Sequence, residues 1–292
     1  MPELSRQSPR FDHATGRYIH LDLGGVSHRV YFEESGAPDG IPLLLQHTAG
    51  ADGRQWRHAL EDAELRNHFR MIAYDLPYHG KSVPPTSERW WSRAYELTRA
   101  FLVSVPVTLA AALELQRPVY MGSSIGGHLA IDLAIEHPDV FRAVVGLEAS
   151  AFTPGGHVDE FYHPAISNDF KAHLMYGLTA PMCPEPYRRE TAWVYSQGAP
   201  AVFKGDLYYY SVDHDVRETA KTIDTKHVSV DILNGEYDWS ATPALGQALA
   251  DLIPGARYQT MQGLGHFPMS ENPELFLSLI RPVLERIAKH AL

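Results

Sequence analysis

Short apolar runs separated by longer segments of helical character most constrain how this chain can fold. A continuous run of about five apolar residues is typical of a strand that is buried on both faces of a sheet. Such strands alternate with helices when they are parallel, because each crossover connection usually carries a helix. The runs are Ile41–Gln46, Phe69–Tyr74, Val119–Met121, Ala143–Leu147, Val228–Leu233 and Tyr258–Met261. The pattern predicts an α/β fold with a mostly parallel sheet covered by helices on both faces.

Two more strands and four helices are predicted around these runs. Gly24-Gly25 separates two apolar-rich segments and predicts a β-hairpin. We expect Pro106 to kink or interrupt the first helix, because proline lacks an N–H donor and clashes with the preceding turn. The hairpin strands are Tyr18–Leu23 and Ser27–Glu33, and the helices are Leu97–Leu115, Ile125–Ile135, Ala244–Leu252 and Pro273–Ile287.

The alternation stops between residues 150 and 226. This segment is rich in proline, histidine and tyrosine, and it is too long for a plain loop in a compact domain. We interpret residues 150–226 as an inserted, mostly helical cap, and residues 1–149 and 227–292 as the core domain. The alternative is a helical elaboration with no role at the functional site.

Charge and composition argue against several classes of function. The formal net charge of -10 disfavours binding to nucleic acid or to an anionic membrane surface. Cys183 is the one cysteine, so an intrachain disulfide and a cysteine-rich zinc site are excluded. Residues 1–18 lack a signal-peptide pattern, and no apolar stretch reaches the roughly 18 residues of a membrane span. We expect a cytoplasmic protein, and the sequence leaves open whether it forms a homodimer.

The segment Gly122-Ser123-Ser124-Ile125-Gly126 lies between a predicted strand and a predicted helix. A sharp strand-to-helix turn holds its central serine in a strained conformation, and only small neighbours fit around it. The turn would raise the Ser124 hydroxyl above the sheet and direct the Ile125 N–H toward a developing oxyanion. A chance glycine–serine turn is the alternative, so the prediction depends on partners elsewhere in the chain.

A nucleophilic serine needs a base, and the base needs a carboxylate that orients it. His266 follows the last predicted strand on a glycine-flanked loop, and Asp238 follows the Val228–Leu233 strand. Both would lie at the carboxyl edge of the sheet, where open α/β folds bind their ligands. A surface histidine and a turn-forming aspartate are the alternatives. The chain order of serine, aspartate and histidine favours a catalytic role.

These segments resemble the α/β-hydrolase fold superfamily, of the esterase, lactonase and C–C hydrolase type. The resemblance covers nearly the whole chain and implies eight strands, a helical cap after the sixth strand, and a Ser–His–Asp triad that uses no cofactor. We also expect the Ala49 and Ile125 amides to form the oxyanion hole, because the small residues of the loop after Ile41–Gln46 let a backbone N–H approach the substrate closely. The matching segments are His47-Thr48-Ala49-Gly50, Asp75-Leu76-Pro77-Tyr78-His79-Gly80-Lys81-Ser82, the Ser124 turn, His137-Pro138, Asp238 and Gly265-His266-Phe267-Pro268.

Two positions depart from the family pattern. The usual His-Gly of the oxyanion loop is His47-Thr48 here, and threonine cannot replace a glycine that needs a positive φ without strain. Glu148 ends the sixth predicted strand, where hydrolases of the zearalenone-lactonase type carry their catalytic acid. We assign the acid to Asp238, after the seventh strand, and keep Glu148 as the alternative acid or as a supporting carboxylate.

We therefore predict a serine hydrolase that cleaves a small to medium carboxylic ester or lactone through an acyl-serine intermediate. We expect His47, Thr48, Ser123, Trp193 and Phe267 to line the pocket. The cap histidines His157, His163 and His173 lack the compact spacing of a metal site, so no metal is predicted. Hydrolysis of a C–C bond in vinylogous diketones and cofactor-free perhydrolysis are the alternative activities. A ligand receptor of the same fold is the alternative that is not an enzyme.

Overall fold

Eight strands form one sheet in the computed structural model, which describes residues 10–153 and 158–289. In chain order they are β1 Thr15–Leu23, β2 Val26–Gly36, β3 Ile41–Gln46, β4 Phe69–Tyr74, β5 Val119–Ser123, β6 Ala143–Leu147, β7 Ser229–Gly235 and β8 Arg257–Met261. The order across the sheet is β1-β2-β4-β3-β5-β6-β7-β8. The β1–β2 and β2–β4 pairs are antiparallel and the others are parallel, which confirms the predicted fold class.

Helices cover both faces of this sheet. They are α1 Arg57–Leu60, α2 Ala63–His68, α3 Arg99–Ala112, α4 Ile125–Glu136, α5 Phe170–Gly177, α6 Glu185–Ser196, α7 Val202–Tyr208, α8 Pro243–Leu252, α9 Pro268–Glu271 and α10 Pro273–Lys289. The expected interruption at Pro106 is wrong, because α3 runs through it. Pro106 is buried between Leu102 and Leu109 on the core face, and this packing offsets the missing backbone hydrogen bond.

Successive residues of the central strands point to opposite faces of the sheet and pack into two separate cores. Leu43 and Leu45 of β3 face α1 and α10, whereas Leu44 faces α3 and α4. The same alternation occurs in β5, where Tyr120 lies opposite Val119. Burial on both faces explains why these strands read as continuous apolar runs rather than as alternating ones.

The predicted hairpin forms at the edge of the sheet. Leu23 pairs with Val26 across Gly24 and Gly25. Both glycines have a positive φ, 64° and 82°. A two-residue turn of this kind requires that conformation, and glycine adopts it without the steric cost of a side chain.

The long connection between β6 and β7 is mostly helical. It contains α5, α6 and α7, short 3₁₀ turns at Asp159–Phe161 and Ala220–Thr222, and a π-helical turn at Tyr209–Asp213 that directly follows α7. Phe161 and Phe203 stack within it at a ring separation of 4.3 Å. Residues 154–157 lie outside the described part, and the division into cap and core stays a prediction. No helix among residues 10–153 and 158–289 has the length and hydropathy of a membrane span.

Candidate active site

Ser124 lies at the turn between β5 and α4 and has the strained backbone conformation that the sequence predicts. Its φ is 57° and its ψ is -112°, in a region that non-glycine residues rarely adopt. The turn is tight because a side chain at Gly122 would lie 2.6 Å from the backbone of Gly126. A larger residue at position 122 would therefore force β5 and α4 apart.

The hydroxyl of Ser124 lies at one end of a hydrogen-bonded chain of three side chains. His266 Nε2 lies 2.9 Å from Ser124 Oγ, and His266 Nδ1 lies 2.9 Å from Asp238 Oδ2. Asp238 Oδ1 also accepts the N–H groups of Ser240 and Ala241, at 2.7 and 3.1 Å, which hold the carboxylate in place. We call Ser124, His266 and Asp238 the Ser–His–Asp chain. Its members come from three loops at the carboxyl edge of the sheet.

Burial and charge shift the pKa values of the Ser–His–Asp chain in opposite directions. Burial by itself would lower the pKa of His266, but the adjacent Asp238 charge outweighs burial and raises that pKa above the ordinary 6.5. Burial would raise the pKa of Asp238, but His266 and the hydrogen bonds to the carboxylate lower it to about 2. Asp238 is therefore ionised at neutral pH and can hold the His266 ring with Nδ1 protonated.

Glu148 lies next to this chain but does not hydrogen-bond to His266. It follows β6 with a positive φ of 52°, and its carboxyl oxygens accept the Gly235 N–H at 3.0 and 2.9 Å. Burial, and then the charge of Asp238, raise the pKa of Glu148 well above its ordinary value. Glu148 therefore favours its neutral acid form, and the structure brings Asp238, rather than Glu148, to the histidine.

The loop after β3 is held by buried side chains. His47 Nε2 accepts the Leu76 N–H at 3.1 Å, so Nδ1 carries the proton that is donated to the Thr48 carbonyl at 2.8 Å. Burial lowers the pKa of His47 to about 4, which keeps the ring neutral. The positive φ of this loop, 66°, falls on Gly50, and Thr48 avoids that conformation. The Thr48 departure therefore causes no backbone strain.

Two side chains from the β6–β7 connection also hold this loop. Asp206 Oδ2, on α7, accepts the Gly50 N–H at 2.7 Å and a proton of His79 Nε2 at 2.8 Å. The Tyr195 hydroxyl, on α6, hydrogen-bonds to Thr48 Oγ1, which also donates to Gln55. Asp206 is completely buried. Sequence reasoning missed both contacts, because the residues lie about 150 positions from the loop.

The two amides predicted for an oxyanion hole are unpaired. Ile125 is the first residue of α4, so its N–H has no acceptor within the helix. The Ala49 N–H has no hydrogen-bond acceptor among the described residues, whereas its neighbours Thr48 and Gly50 both donate to side chains. Free amides beside a nucleophile can donate to a negative oxygen.

Tyr210 is a further residue at this site that sequence reasoning missed. Its hydroxyl hydrogen-bonds to Ser124 Oγ, and its ring packs edge-to-face on His128 at 4.9 Å. The sequence contains the run Tyr208-Tyr209-Tyr210. Its π-helical turn decides which of the three phenols points at the serine, and no local sequence signal predicts such a turn.

The predicted pocket residues have different environments. Phe267 is completely buried, with its ring 5.1 Å from His266 and 5.5 Å from Tyr195. Ser123 is also buried, and its hydroxyl has no hydrogen-bond partner in the described structure. Trp193 does not fit the pocket prediction, since 56% of it is exposed and Arg54 lies over its ring at 5.2 Å. Its helix α6 buries Val194 and Tyr195 instead, which turns Trp193 outward.

His163 and His173 are the two described histidines among the three that we weighed as metal ligands. His157 lies outside the described residues. His163 accepts the backbone N–H of Ala165, and His173 Nδ1 donates to the carbonyl of Asp169. Within the described ranges, no group of three histidine, cysteine, aspartate or glutamate side chains has the arrangement of metal ligands.

Comparison with known proteins gives the family. A sequence model of the alpha/beta hydrolase fold matches residues 41–273. The 2-hydroxymuconate semialdehyde hydrolase of Pseudomonas sp. (strain CF600) is 32% identical over 292 residues, covering 90% of this chain and 92% of the relative. The 2-hydroxy-6-oxo-6-(2'-aminophenyl)hexa-2,4-dienoic acid hydrolase of Metapseudomonas resinovorans is 23% identical and covers 92% of this chain and 91% of the relative.

The fold is also similar to that of solved structures. The enol-lactonase of Burkholderia xenovorans LB400 superposes with a TM-score of 0.77 at 21% sequence identity, over 91% of this chain and 100% of that one. The match of the family model covers most of the chain and includes the loop after β3, the Ser124 turn, Asp238 and His266. The chain therefore belongs to the alpha/beta hydrolase fold family, and it is a hydrolase, as the sequence predicts.

Proposed function

We propose that this protein hydrolyses a carboxylic ester or lactone of small to medium size through an acyl intermediate on Ser124. The observation that carries the proposal is the continuous chain from Ser124 Oγ through His266 to Asp238, with 2.9 Å at each step. A buried serine whose proton faces a neutral imidazole, itself held by a carboxylate, is the arrangement that acyl transfer requires.

Each residue of the site has a separate role in the proposed reaction. His266 Nε2 takes the Ser124 proton as Oγ attacks the carbonyl carbon, and the Ala49 and Ile125 amides receive the negative oxygen. His266 then donates the proton to the leaving alcohol, which departs and leaves the acyl group on Ser124. A water that loses a proton to His266 attacks this ester, the C–Oγ bond breaks as His266 returns the proton to Ser124 Oγ, and the acid is released. Asp238 stabilises the imidazolium at both stages.

We assign residues 150–226 to a cap that encloses the substrate. Tyr195, Asp206 and Tyr210 come from this segment and contact the core next to Ser124. Ser124 and His266 are only 5% and 8% exposed, so the substrate has to enter through movement of this segment or along a narrow path. Exclusion of bulk water would strengthen the electrostatic contacts to the oxyanion.

The charges around the site favour a neutral substrate. A dienoate substrate needs a cation to bind its carboxylate. Two cationic side chains of the cap are already engaged: Lys171 donates to the Gly198 carbonyl at 2.7 Å, and Arg188 donates to the Ala180 carbonyl at 3.0 Å. Arg54, beside the loop after β3, pairs with Asp52. A carboxylate would have to share these cations with their present partners.

A second candidate is hydrolysis of a C–C bond in a vinylogous diketone. It is favoured by the 32% identity, over most of the chain, to a relative named as a 2-hydroxymuconate semialdehyde hydrolase. The same Ser–His–Asp chain would serve both reactions, so the substrate has to distinguish them.

The test is hydrolysis of p-nitrophenyl esters from acetate to decanoate by the wild type, Ser124→Ala and the control Ser278→Ala. Ser278 is an exposed serine of α10 that donates to its own helix, so its loss should leave the rate unchanged. We expect turnover that is highest for short acyl chains and is lost in Ser124→Ala alone.

The same proteins are assayed with 2-hydroxy-6-oxo-6-phenylhexa-2,4-dienoate. Faster Ser124-dependent cleavage of this diketone than of every ester would replace the ester proposal by the second candidate. Ester turnover that survives in folded Ser124→Ala would contradict the assignment of the nucleophile.

A further inference from the structure

We propose that Tyr210 is a catalytic residue whose phenol stabilises the Ser124 oxygen as it leaves the acyl-enzyme. The inference rests on the proposed function, because it requires an acyl group on Ser124. It concerns a residue of the β6–β7 connection that is outside the Ser–His–Asp chain.

The hydrogen-bond roles at Ser124 follow from its neighbours. Asp238 accepts from His266 Nδ1, so Nε2 of the neutral ring is an acceptor and takes the single Ser124 hydroxyl proton. The Tyr210 hydroxyl also bonds to Ser124 Oγ, and it must therefore be the donor in that bond. Ser124 Oγ thus receives one hydrogen bond from the cap while it donates one to the core.

Several contacts hold the Tyr210 phenol in this position. Its ring lies edge-to-face on His128, and the neighbouring Tyr209 hydroxyl donates to Asp132 at 2.5 Å. His128 Nδ1 in turn donates to the Ser124 carbonyl at 2.9 Å. Tyr210 is 7% exposed, and burial raises its pKa well above the ordinary value, so the phenol keeps its proton. The π-helical turn therefore presents a fixed, neutral donor to the reacting oxygen.

The strength of the hydrogen bond from Tyr210 to Ser124 Oγ changes during the reaction. An ester oxygen is a weak acceptor, whereas a free serine hydroxyl, and even more an oxygen that gains an electron pair, is a strong one. When the second tetrahedral intermediate collapses, the C–Oγ bond breaks, its electron pair goes to Oγ, and His266 returns the proton to that oxygen. Tyr210 keeps its own proton and donates a strengthening hydrogen bond.

The same bond does not help the attack of Ser124 on the substrate. In that step Oγ changes from a strong acceptor to a weaker one, so a donor on Oγ opposes the reaction slightly. Removal of the phenol should therefore slow deacylation while acylation stays the same or becomes faster. A residue with a merely structural role would slow both steps together.

The experiment compares Tyr210→Phe with the wild type in both half-reactions of p-nitrophenyl butyrate hydrolysis. Stopped-flow release of p-nitrophenolate with enzyme in excess gives the acylation rate, and mass spectrometry of the quenched enzyme gives the decay of the acyl-serine. We expect deacylation to slow by about tenfold to a hundredfold, the usual effect of losing one hydrogen bond to a developing charge. With substrate in excess, the acyl-enzyme should accumulate and give a burst close to one product per active site.

Controls separate this result from misfolding and from failure of the proposed function. Tyr208→Phe removes a phenol two positions earlier, and both of its rates should match the wild type. Thermal unfolding and labelling by a fluorophosphonate measure the folded, reactive fraction of each variant. Equal slowing of both half-reactions in folded Tyr210→Phe, or no change in either, would overturn the role of Tyr210 while leaving the esterase intact. A wild type without Ser124-dependent ester hydrolysis would overturn the proposed function, and this inference with it.

Discussion

Of the three buried histidine–aspartate pairs among the described residues, His266–Asp238 and His79–Asp206 differ in what their second ring nitrogen contacts, and His214–Asp132 is the third. In the first pair, His266 Nδ1 bonds to Asp238 at 2.9 Å and Nε2 faces the Ser124 hydroxyl. In the second, His79 Nε2 bonds to Asp206 at 2.8 Å and Nδ1 faces the Pro77 carbonyl at 3.0 Å. A hydroxyl can donate to an imidazole nitrogen, whereas a carbonyl can only accept.

This difference assigns different charge states to the two histidines, with His79 as a cation and His266 as a neutral ring. Both nitrogens of His79 face acceptors, so the ring is satisfied when it is a doubly protonated cation paired with Asp206. His266 can be neutral, because Ser124 supplies the proton for its Nε2 bond. In both pairs burial by itself would lower the histidine pKa and the aspartate outweighs it, so both pKa values are raised above 6.5. The presence of a histidine and an aspartate is therefore not enough for catalysis. The group that faces the second ring nitrogen decides whether the histidine can act as a base.

The largest expected effect tests the first pair. Asp238→Asn should reduce kcat for ester hydrolysis by a factor on the order of 10⁴, because the amide can donate to Nδ1 and stabilise the wrong tautomer of His266. Steady-state kinetics measures the loss, and the free energy of unfolding should change far less in proportion. Glu148→Gln serves as the control for the neighbouring carboxyl. A larger loss of kcat in Glu148→Gln than in Asp238→Asn would move the catalytic acid to Glu148.

A smaller effect on activity and a larger one on stability are expected for the second pair. Asp206→Asn removes the charge that pairs with His79, and we expect the loss of this buried charge pair to cost about 2 kcal/mol. The Gly50 N–H can still donate to the amide oxygen, so the loop after β3 should stay in place and kcat should fall by roughly tenfold or less. Urea unfolding and steady-state kinetics measure the two effects. A fall in kcat as large as that of Asp238→Asn would contradict the claim that only the His266–Asp238 pair takes part in catalysis.

The smallest expected effects are two pH dependences of opposite sign, one of kcat/KM and one of the free energy of unfolding. His266 acts when neutral, so kcat/KM should rise with pH through its raised pKa, above 6.5. His79 stabilises when protonated, and its folded pKa is raised above the unfolded value of 6.5. Its contribution to stability is therefore fully present below pH 6.5 and is lost as the pH rises through the folded pKa.

The pH profile of kcat/KM and the unfolding free energies of wild type and His79→Gln measure these two dependences. The difference in unfolding free energy should be larger near about pH 6 than near about pH 9, because other groups titrate alike in both proteins. His47, Asp75 and Tyr95 surround His79 and are present in both proteins. A difference that grows with pH would mean that His79 is neutral in the folded protein.

The core strands and the Ser124 turn were predictable from the sequence for a local reason. Burial on both faces requires uninterrupted apolar residues, so β3, β4 and β6 coincide with the predicted runs Ile41–Gln46, Phe69–Tyr74 and Ala143–Leu147. Glycines at 122 and 126 are required by the close approach of β5 and α4. By contrast, α1 and α2 span only four and six residues, too few for a helical period to stand out.

The fold class, the hydrolase family and the residue types that the chemistry needs can be predicted from the chain alone, because they follow from short-range patterns and from motifs in a fixed order. Which of these side chains meet depends on the three-dimensional packing. Asp238 rather than Glu148 bonds to His266, Gly50 rather than Thr48 takes the positive φ, and Tyr210 rather than its neighbours faces Ser124. The last two outcomes involve contacts from helical turns of the β6–β7 connection, and contacts between distant segments leave no periodic signal in the chain.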